Sequence, residues 1–199
     1  MFCTAYSQNK IYFAQDLPFS TEDYKTKYIQ LVDSIYGKTS LRNEIKFSKN
    51  LYQLTKEEKD TLRLIYASHG YARRLQYAGE HLKALPIFKE ELELISKFKT
   101  TSITSKLLEE NYLTKIEVLC QLGNCFMATN EIELSFEYYH NALELANKNN
   151  LSFYKAVIPS LIGSLKFATD DYDEALKYFN KALIDLQYVD IDKDNIKFN

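Results

Sequence analysis

Apolar residues recur every three to four positions along almost the whole chain, and no stretch alternates apolar with polar side chains. This spacing is typical of amphipathic helices, so we predict an all-α fold without strands. The composition agrees with that prediction. Only 5 Gly and 3 Pro occur in 199 residues, whereas sandwiches and barrels need many tight turns.

Capping residues set the predicted helix boundaries. Ser20 is placed to cap the first helix and Gly37 to end it, while residues 55–58 (Thr-Lys-Glu-Glu) have the spacing of a capping box that opens a long helix ending at Gly79. Asn130 is predicted to cap a later helix, and residues 100–105, rich in Ser and Thr, are predicted to form a loop. The predicted helices are residues 21–36, 41–54, 55–78, 81–98, 106–128, 131–147, 152–168 and 171–187.

The helices of the C-terminal two thirds repeat as pairs. Three successive pairs have similar second helices, which begin near Glu80, Glu131 and Asp171. Two prolines fall inside predicted helices: Pro86 is near enough to a helix start to be tolerated, and Pro159 is expected to bend or break its helix. We predict four parts: an N-terminal segment (1–19), a helical pair (20–54), a repeat domain (55–188) and a polar tail (189–199).

Each pair places small and aromatic residues at equivalent positions of its two helices. The positions are Tyr71, Ala72, Leu75, Ala84 and Phe88 in the first pair, Leu122, Gly123, Phe126, Ser135, Tyr139 and Ala142 in the second, and Ile162, Gly163, Ala175, Phe179 and Ala182 in the third. This pattern resembles the tetratricopeptide repeat over residues 56–188. In that family small residues let two helices approach closely, and aromatic residues fill the space between neighbouring pairs.

The chain departs from the family pattern at several points. Glu91 stands where a small residue is expected, and Lys166 stands where an aromatic residue is expected. The repeats are 51 and 40 residues apart, measured from Ala84 to Ser135 and from Ser135 to Ala175, against the usual 34. This spacing resembles long-helix tetratricopeptide arrays of bacterial regulators and sensors, and it implies a tetratricopeptide-type α-solenoid.

Catalytic and cofactor motifs are poorly represented. Residues 37–39 (Gly-Lys-Thr) imitate the end of a phosphate-binding loop, but Val32 stands where that loop requires glycine. His69, His81 and His140 lie in three different helices without metal-ligand spacing, so each is expected on the surface or in a groove. We therefore predict no enzyme, no cofactor, no metal site and no catalytic residue.

The resemblance implies a scaffold that binds a protein or peptide in the concave groove lined by the first helices of the pairs. Its aromatic, guanidinium and amide groups would suit peptide amides and a carboxylate. In the alternative interpretation, Tyr66 and Tyr77 pack against neighbouring helices and Arg73 pairs with a local acid. The expected groove residues are Tyr66, His69, Arg73, Tyr77, Gln121, Asn124, Ser160 and Ser164.

Charge and cysteine content bear on partners and compartment. A net charge of −2 gives no basic surface for nucleic acid, and no apolar run is long enough for membrane insertion. Cys3, Cys120 and Cys125 lack disulfide or metal spacing and are predicted to be small core residues. A cytoplasmic location is expected; the alternative is export to the periplasm, with residues 5–7 (Ala-Tyr-Ser) as the end of a clipped signal.

Two further expectations concern the last predicted pair. Its apolar residues lack a capping helix, which allows self-association through that face. In an alternative function, the chain is the sensor region of a larger bacterial transcriptional regulator or sensor kinase whose output domain is absent from this sequence.

Overall fold

The computed structural model describes residues 13, 14, 17–111 and 113–189. The predicted N-terminal segment (1–19) and polar tail (189–199), like Cys3, lie largely or wholly outside these residues. Helices account for nearly all of the described chain, in agreement with the predicted all-α fold. They are α1 (Glu22–Tyr36), α2 (Leu41–Glu57), α3 (Thr61–Tyr77), α4 (His81–Lys97), α5 (Ser102–Glu110), α6 (Lys115–Ala128), α7 (Ile132–Lys148), α8 (Ser152–Ala168) and α9 (Tyr172–Leu186).

The chain divides into two compact units, a first unit that ends at Leu113 and a second that begins at Thr114. In the first unit α1 packs on α2, α2 on α3 and α3 on α4; in the second unit α6, α7, α8 and α9 pack on one another in the same consecutive manner. The prediction of successive packed helix pairs is therefore confirmed within each unit.

The core of the first unit has two parts. One is formed by α1, α2 and α3 around the buried Tyr24, Tyr28 and Leu51. The other joins Ile65 of α3 to Phe13 and to residues near α5. Both parts contain aromatic rings, which explains how a unit without tryptophan fills its interior.

The first helix starts one residue later than predicted. Thr21, not Ser20, is the N-cap of α1, and its side chain accepts a hydrogen bond from the Tyr24 amide. The Ser20 hydroxyl donates instead to Glu58 Oε2 at 2.8 Å. Both residues are chemically able to cap a helix, so the contact with Glu58 decides between them.

The predicted capping box at residues 55–58 is wrong. α2 continues through it to Glu57, and the hydroxyl of the fully buried Thr55 donates to the Leu51 carbonyl of the same helix at 3.0 Å. The turn comes at Lys59, whose φ is 56°, and Asp60 caps α3 by accepting from the Arg63 amide at 3.1 Å. Burial of Thr55 therefore removes the hydroxyl that the predicted cap required.

The predicted loop at residues 100–105 and the long helix after it are also corrected. Thr101 and Thr104 form a reciprocal capping box that starts α5 inside the predicted loop. The predicted helix of residues 106–128 is interrupted after Glu110, and Thr114 caps a new helix, α6. Hydroxyl side chains satisfy the first amides of a helix as readily as they sit in a loop, so the pattern alone is ambiguous.

The turns of the second unit share one conformation. Asn130, Asn150 and Asp170 have φ values of 62°, 52° and 60°, a left-handed conformation that Asn and Asp tolerate better than most residues. Asn130 is therefore a turn residue, not the predicted cap, and Glu131 precedes α7 as its N-cap. Helices α4 and α8 continue through Pro86 and Pro159, so the expected break at Pro159 does not occur.

Candidate functional site

The half-buried Arg73 and the exposed Tyr77 form a pair on α3. The Arg73 Nη2 group donates to the Tyr77 hydroxyl at 2.6 Å, and the guanidinium carbon lies 4.9 Å from the centre of the tyrosine ring. Tyr77 is 52% exposed. The four-residue spacing places both side chains on one face of the helix, so an aromatic surface and a cation are presented together.

Tyr66 lies about two turns before Arg73 on α3 and has a different environment. Its hydroxyl is 2.9 Å from that of Tyr36, and its ring stacks on Phe13 with centroids 4.7 Å apart. Burial, together with the neighbouring Tyr36, raises the pKa of Tyr66 well above its usual value. The packing interpretation therefore describes Tyr66, whereas Tyr77 is exposed.

His69, expected on the surface or in a groove, is instead buried. Only 6% of His69 is exposed, and its Nδ1 lies 2.9 Å from Oε1 of Glu91 on α4. Glu91 has no exposed surface, and the ring of Phe88 packs edge-on against the imidazole. Glu91 stands where the repeat pattern has a small residue, and His69 from the neighbouring helix α3 provides its hydrogen-bond partner.

A row of polar side chains runs along α6 in the second unit. Gln121 Nε2 donates to Glu117 Oε1 at 2.6 Å, and Asn124 Nδ2 donates to Gln121 Oε1 at 3.2 Å. Asn124 Oδ1 accepts from the hydroxyl of the buried Tyr139 on α7 at 2.6 Å. Asn124 therefore holds the two helices together as well as reaching the surface, while Gln121 is only 5% exposed.

Ser160 and Ser164 lie one turn apart on α8. Their hydroxyls donate to carbonyls of their own helix, Ser160 to Val157 at 2.7 Å and Ser164 to Ser160 at 2.9 Å. Ser164 is exposed and Ser160 is half-buried. Their hydroxyl oxygens can still accept a hydrogen bond, for example from a peptide amide.

The structure thus collects the predicted residues into local groups. In the first unit Arg73 and Tyr77 contact each other, while Tyr66 and His69 pack inside the unit. In the second unit Gln121 and Asn124 are bonded to each other. Sequence reasoning named Glu91 only as a departure from the repeat pattern and missed Glu117, although the four-residue spacing of Glu117 and Gln121 was a usable signal.

Glycine and aromatic residues set the close approach of the helices in the second unit. A Cβ atom on Gly123 would lie 2.4 Å from Tyr139 Cε1, and one on Gly163 would lie 2.8 Å from Phe179 Cε1, so a side chain at either position would force the aromatic ring to move. The buried Ser135 hydroxyl donates to the Gly123 carbonyl at 2.9 Å. The contact between a glycine and an aromatic ring therefore occurs in both the α6–α7 and the α8–α9 pair.

A family model described as tetratricopeptide repeat matches residues 116–149 and 160–183, which are the segments that hold these two contacts. These two segments of the second unit therefore carry tetratricopeptide repeats. A search of the curated proteins found no match to the chain. Tetratricopeptide repeats generally mediate protein–protein interaction and are generally non-enzymatic, so the repeats support a scaffold role.

Two features of the described residues bear on other classes of function. Within residues 13–14, 17–111 and 113–189, no group of three or more His, Cys, Asp or Glu side chains is arranged to hold a metal ion. No helix in that part of the chain has the length and apolar character needed to cross a membrane. Cys120 and Cys125 are buried, and burial raises the pKa of the Cys120 thiol well above its usual value.

Proposed function

We propose that this tetratricopeptide repeat protein is a non-enzymatic scaffold that binds a protein or peptide partner through the first helices of its helix pairs. The observation that carries the proposal is the contact on α3 between the half-buried Arg73 and the exposed Tyr77. Arg and Tyr are enriched among the residues that dominate protein interfaces, because each combines a large apolar surface with polar atoms.

The chemistry of the pair suggests which peptide groups it takes. The guanidinium donates in a planar fork that fits a carboxylate, and the Tyr77 ring offers a flat apolar surface beside it. Because the hydrogen bond and the ring contact hold Arg73 in place, little side-chain entropy remains to be lost on binding. We expect peptides with an acidic side chain or a free carboxyl terminus, next to an apolar residue.

The second unit offers its own contact residues in this proposal. Asn124, Ser160 and Ser164 lie on the first helices α6 and α8, where they would hydrogen bond to peptide backbone groups. Gln121 supports Asn124 from within, as Tyr66 and His69 support α3 in the first unit. These three would act by positioning the contact residues and not by touching the partner.

Selection from a phage-displayed peptide library on the immobilised full chain tests the proposal. We expect enriched acidic peptides, and a loss of affinity of about tenfold or more for Arg73→Ala. Lys97→Ala is the matched control, because that ammonium is 76% exposed and belongs to an ion pair within α4. The surface lies elsewhere if Arg73→Ala binds the selected peptides as well as the control does, and the scaffold role loses support if no peptide is enriched.

Asn124 needs a different substitution, because alanine would also leave the buried Tyr139 hydroxyl without an acceptor. Asn124→Asp keeps an oxygen at that position and changes the charge that the peptide meets. We expect weaker binding of acidic peptides with unchanged helicity by circular dichroism. Equal binding by Asn124→Asp would remove α6 from the proposed surface.

A further inference from the structure

Helix α9 carries a stripe of exposed apolar side chains with regular spacing. Its members follow one another at intervals of four, three, four and three residues, which is the spacing of the contact positions in a two-helix coiled coil. Between 38% and 61% of each side chain is exposed. We call this stripe the α9 seam; it consists of Tyr172, Leu176, Phe179, Leu183 and Leu186.

The preceding repeat shows what such a seam packs against. Leu143 on α7 and Leu183 on α9 are equivalent, since each lies four residues after the aromatic that contacts the repeat glycine, Tyr139 or Phe179. Leu143 is 8% exposed and Leu183 is 61% exposed. Helix α7 packs against both α6 and α8, whereas α9 has α8 as its packing partner among the described helices. The element that covers this face in α7 is therefore a helix.

Charge indicates which helix would cover the α9 seam. The outer flank of the seam is formed by Asp173, Asn180 and Gln187, of which Asp173 alone is charged, and its inner flank by Ala175 and Ala182. In an antiparallel pair centred on Asn180, Asp173 of one copy lies opposite the uncharged Gln187 of the other. Two copies of α9 can therefore meet along the seam without placing like charges opposite each other. Charged flanks would instead have selected a partner of opposite charge and opposed self-pairing.

The exposed area is sufficient for a pair of copies. The five seam side chains expose on the order of 500 Å², so two copies would bury about 1,000 Å², the size at which specific interfaces begin. An apolar patch of several hundred Å² on a folded protein typically marks an interaction site. We propose that the full chain forms a homodimer in which the α9 seams of two copies pack together. This proposal is independent of the peptide contacts proposed for α3 in the first unit and for α6 and α8 in the second.

Sedimentation velocity of the full chain at several micromolar concentrations tests the proposal. A dimer has twice the 23.3 kDa mass of one chain. In Leu183→Glu a charge lies within the seam, and we expect the dissociation constant to rise about 100-fold or more. Ile184→Glu is the matched control, because Ile184 is the next residue, is 55% exposed and lies off the seam.

The outcomes separate the possible occupants of the seam. A wild-type dimer that is lost in Leu183→Glu and kept in Ile184→Glu supports the proposal, with circular dichroism showing that both variants are helical. Equal dimerisation of the two variants, or a wild-type monomer at every concentration, overturns it. If the wild type is monomeric and a chain shortened to residues 1–189 dimerises, residues 190–199 cover the seam and the proposal is likewise overturned.

Discussion

The buried His69–Glu91 pair makes a strong prediction about the stability of the first unit. The two residues are 6% and 0% exposed, and their Nδ1 and Oε1 atoms are 2.9 Å apart. His69→Leu removes the imidazole but leaves the carboxyl group in a place that water does not reach. Breaking a buried pair in this way costs about 3–5 kcal/mol, a large part of the total stability of a typical domain.

A double variant separates the energy of the pair from the cost of leaving one half of it. In His69→Leu/Glu91→Leu both polar groups are replaced by apolar side chains that can pack with the neighbouring Phe88. Replacing a buried pair by apolar groups is often neutral or stabilising, so the double variant should be more stable than His69→Leu alone. The coupling energy of the cycle should be about 2 kcal/mol or more.

Urea unfolding measures these changes, with hydrogen exchange of the α3 and α4 amides as the probe of the first unit, because two compact units need not unfold together. Glu93→Gln on the same helix is the control. Its exposed ion pair with Lys97 spans 3.1 Å, so we expect a change within about 0.5 kcal/mol. The reasoning is refuted if His69→Leu costs less than about 1 kcal/mol, or if the double variant loses as much as both single variants combined.

Three further predictions follow from other contacts. Burial alone would raise the pKa of Glu90, but hydrogen bonds from Lys56 and Tyr52 lower that pKa. The ionised Glu90 therefore stabilises the fold above pH 4.5, and this contribution is lost at lower pH. The free energy of unfolding should fall less steeply with acid in Glu90→Gln than in the wild type. Gly123→Ala should cost about 1–3 kcal/mol in thermal unfolding and Gly163→Ala less, because Phe179 is 38% exposed and can move; equal losses would contradict this. Burial raises the pKa of four tyrosines, so their contribution to the stability of the fold is complete below pH 10 and decreases above it. Absorbance titration should show that these tyrosines ionise only when the chain unfolds. Their ionisation in the folded chain would contradict this prediction. They are Tyr24, Tyr28, Tyr66 and Tyr139.

The candidate surface was only partly predictable from the sequence. The four-residue spacing of Arg73 and Tyr77 is local, so their contact follows once α3 is a helix. The burial of His69 could not be predicted from the spacing of residues within α3, because it depends on Glu91 from another helix. A polar residue on a helix face has the same spacing whether it meets solvent or a partner side chain.

Local patterns in the sequence determined the helices and the repeat. Apolar spacing and the recurring glycine and aromatic positions, such as Gly123 with Tyr139, act within one helix pair, so they indicate both the all-α fold and the tetratricopeptide repeat.

Tertiary structure decided the choices between equally suitable local groups. Thr55 has the chemistry of a cap but is buried within α2, and Thr101 starts a helix in a segment whose composition is typical of a loop. Leu143 and Leu183 occupy equivalent positions in their repeats, yet one is buried and the other exposed, because a following helix packs against α7. Burial depends on residues distant in sequence, which is why the spacing of side chains within one segment leaves it open.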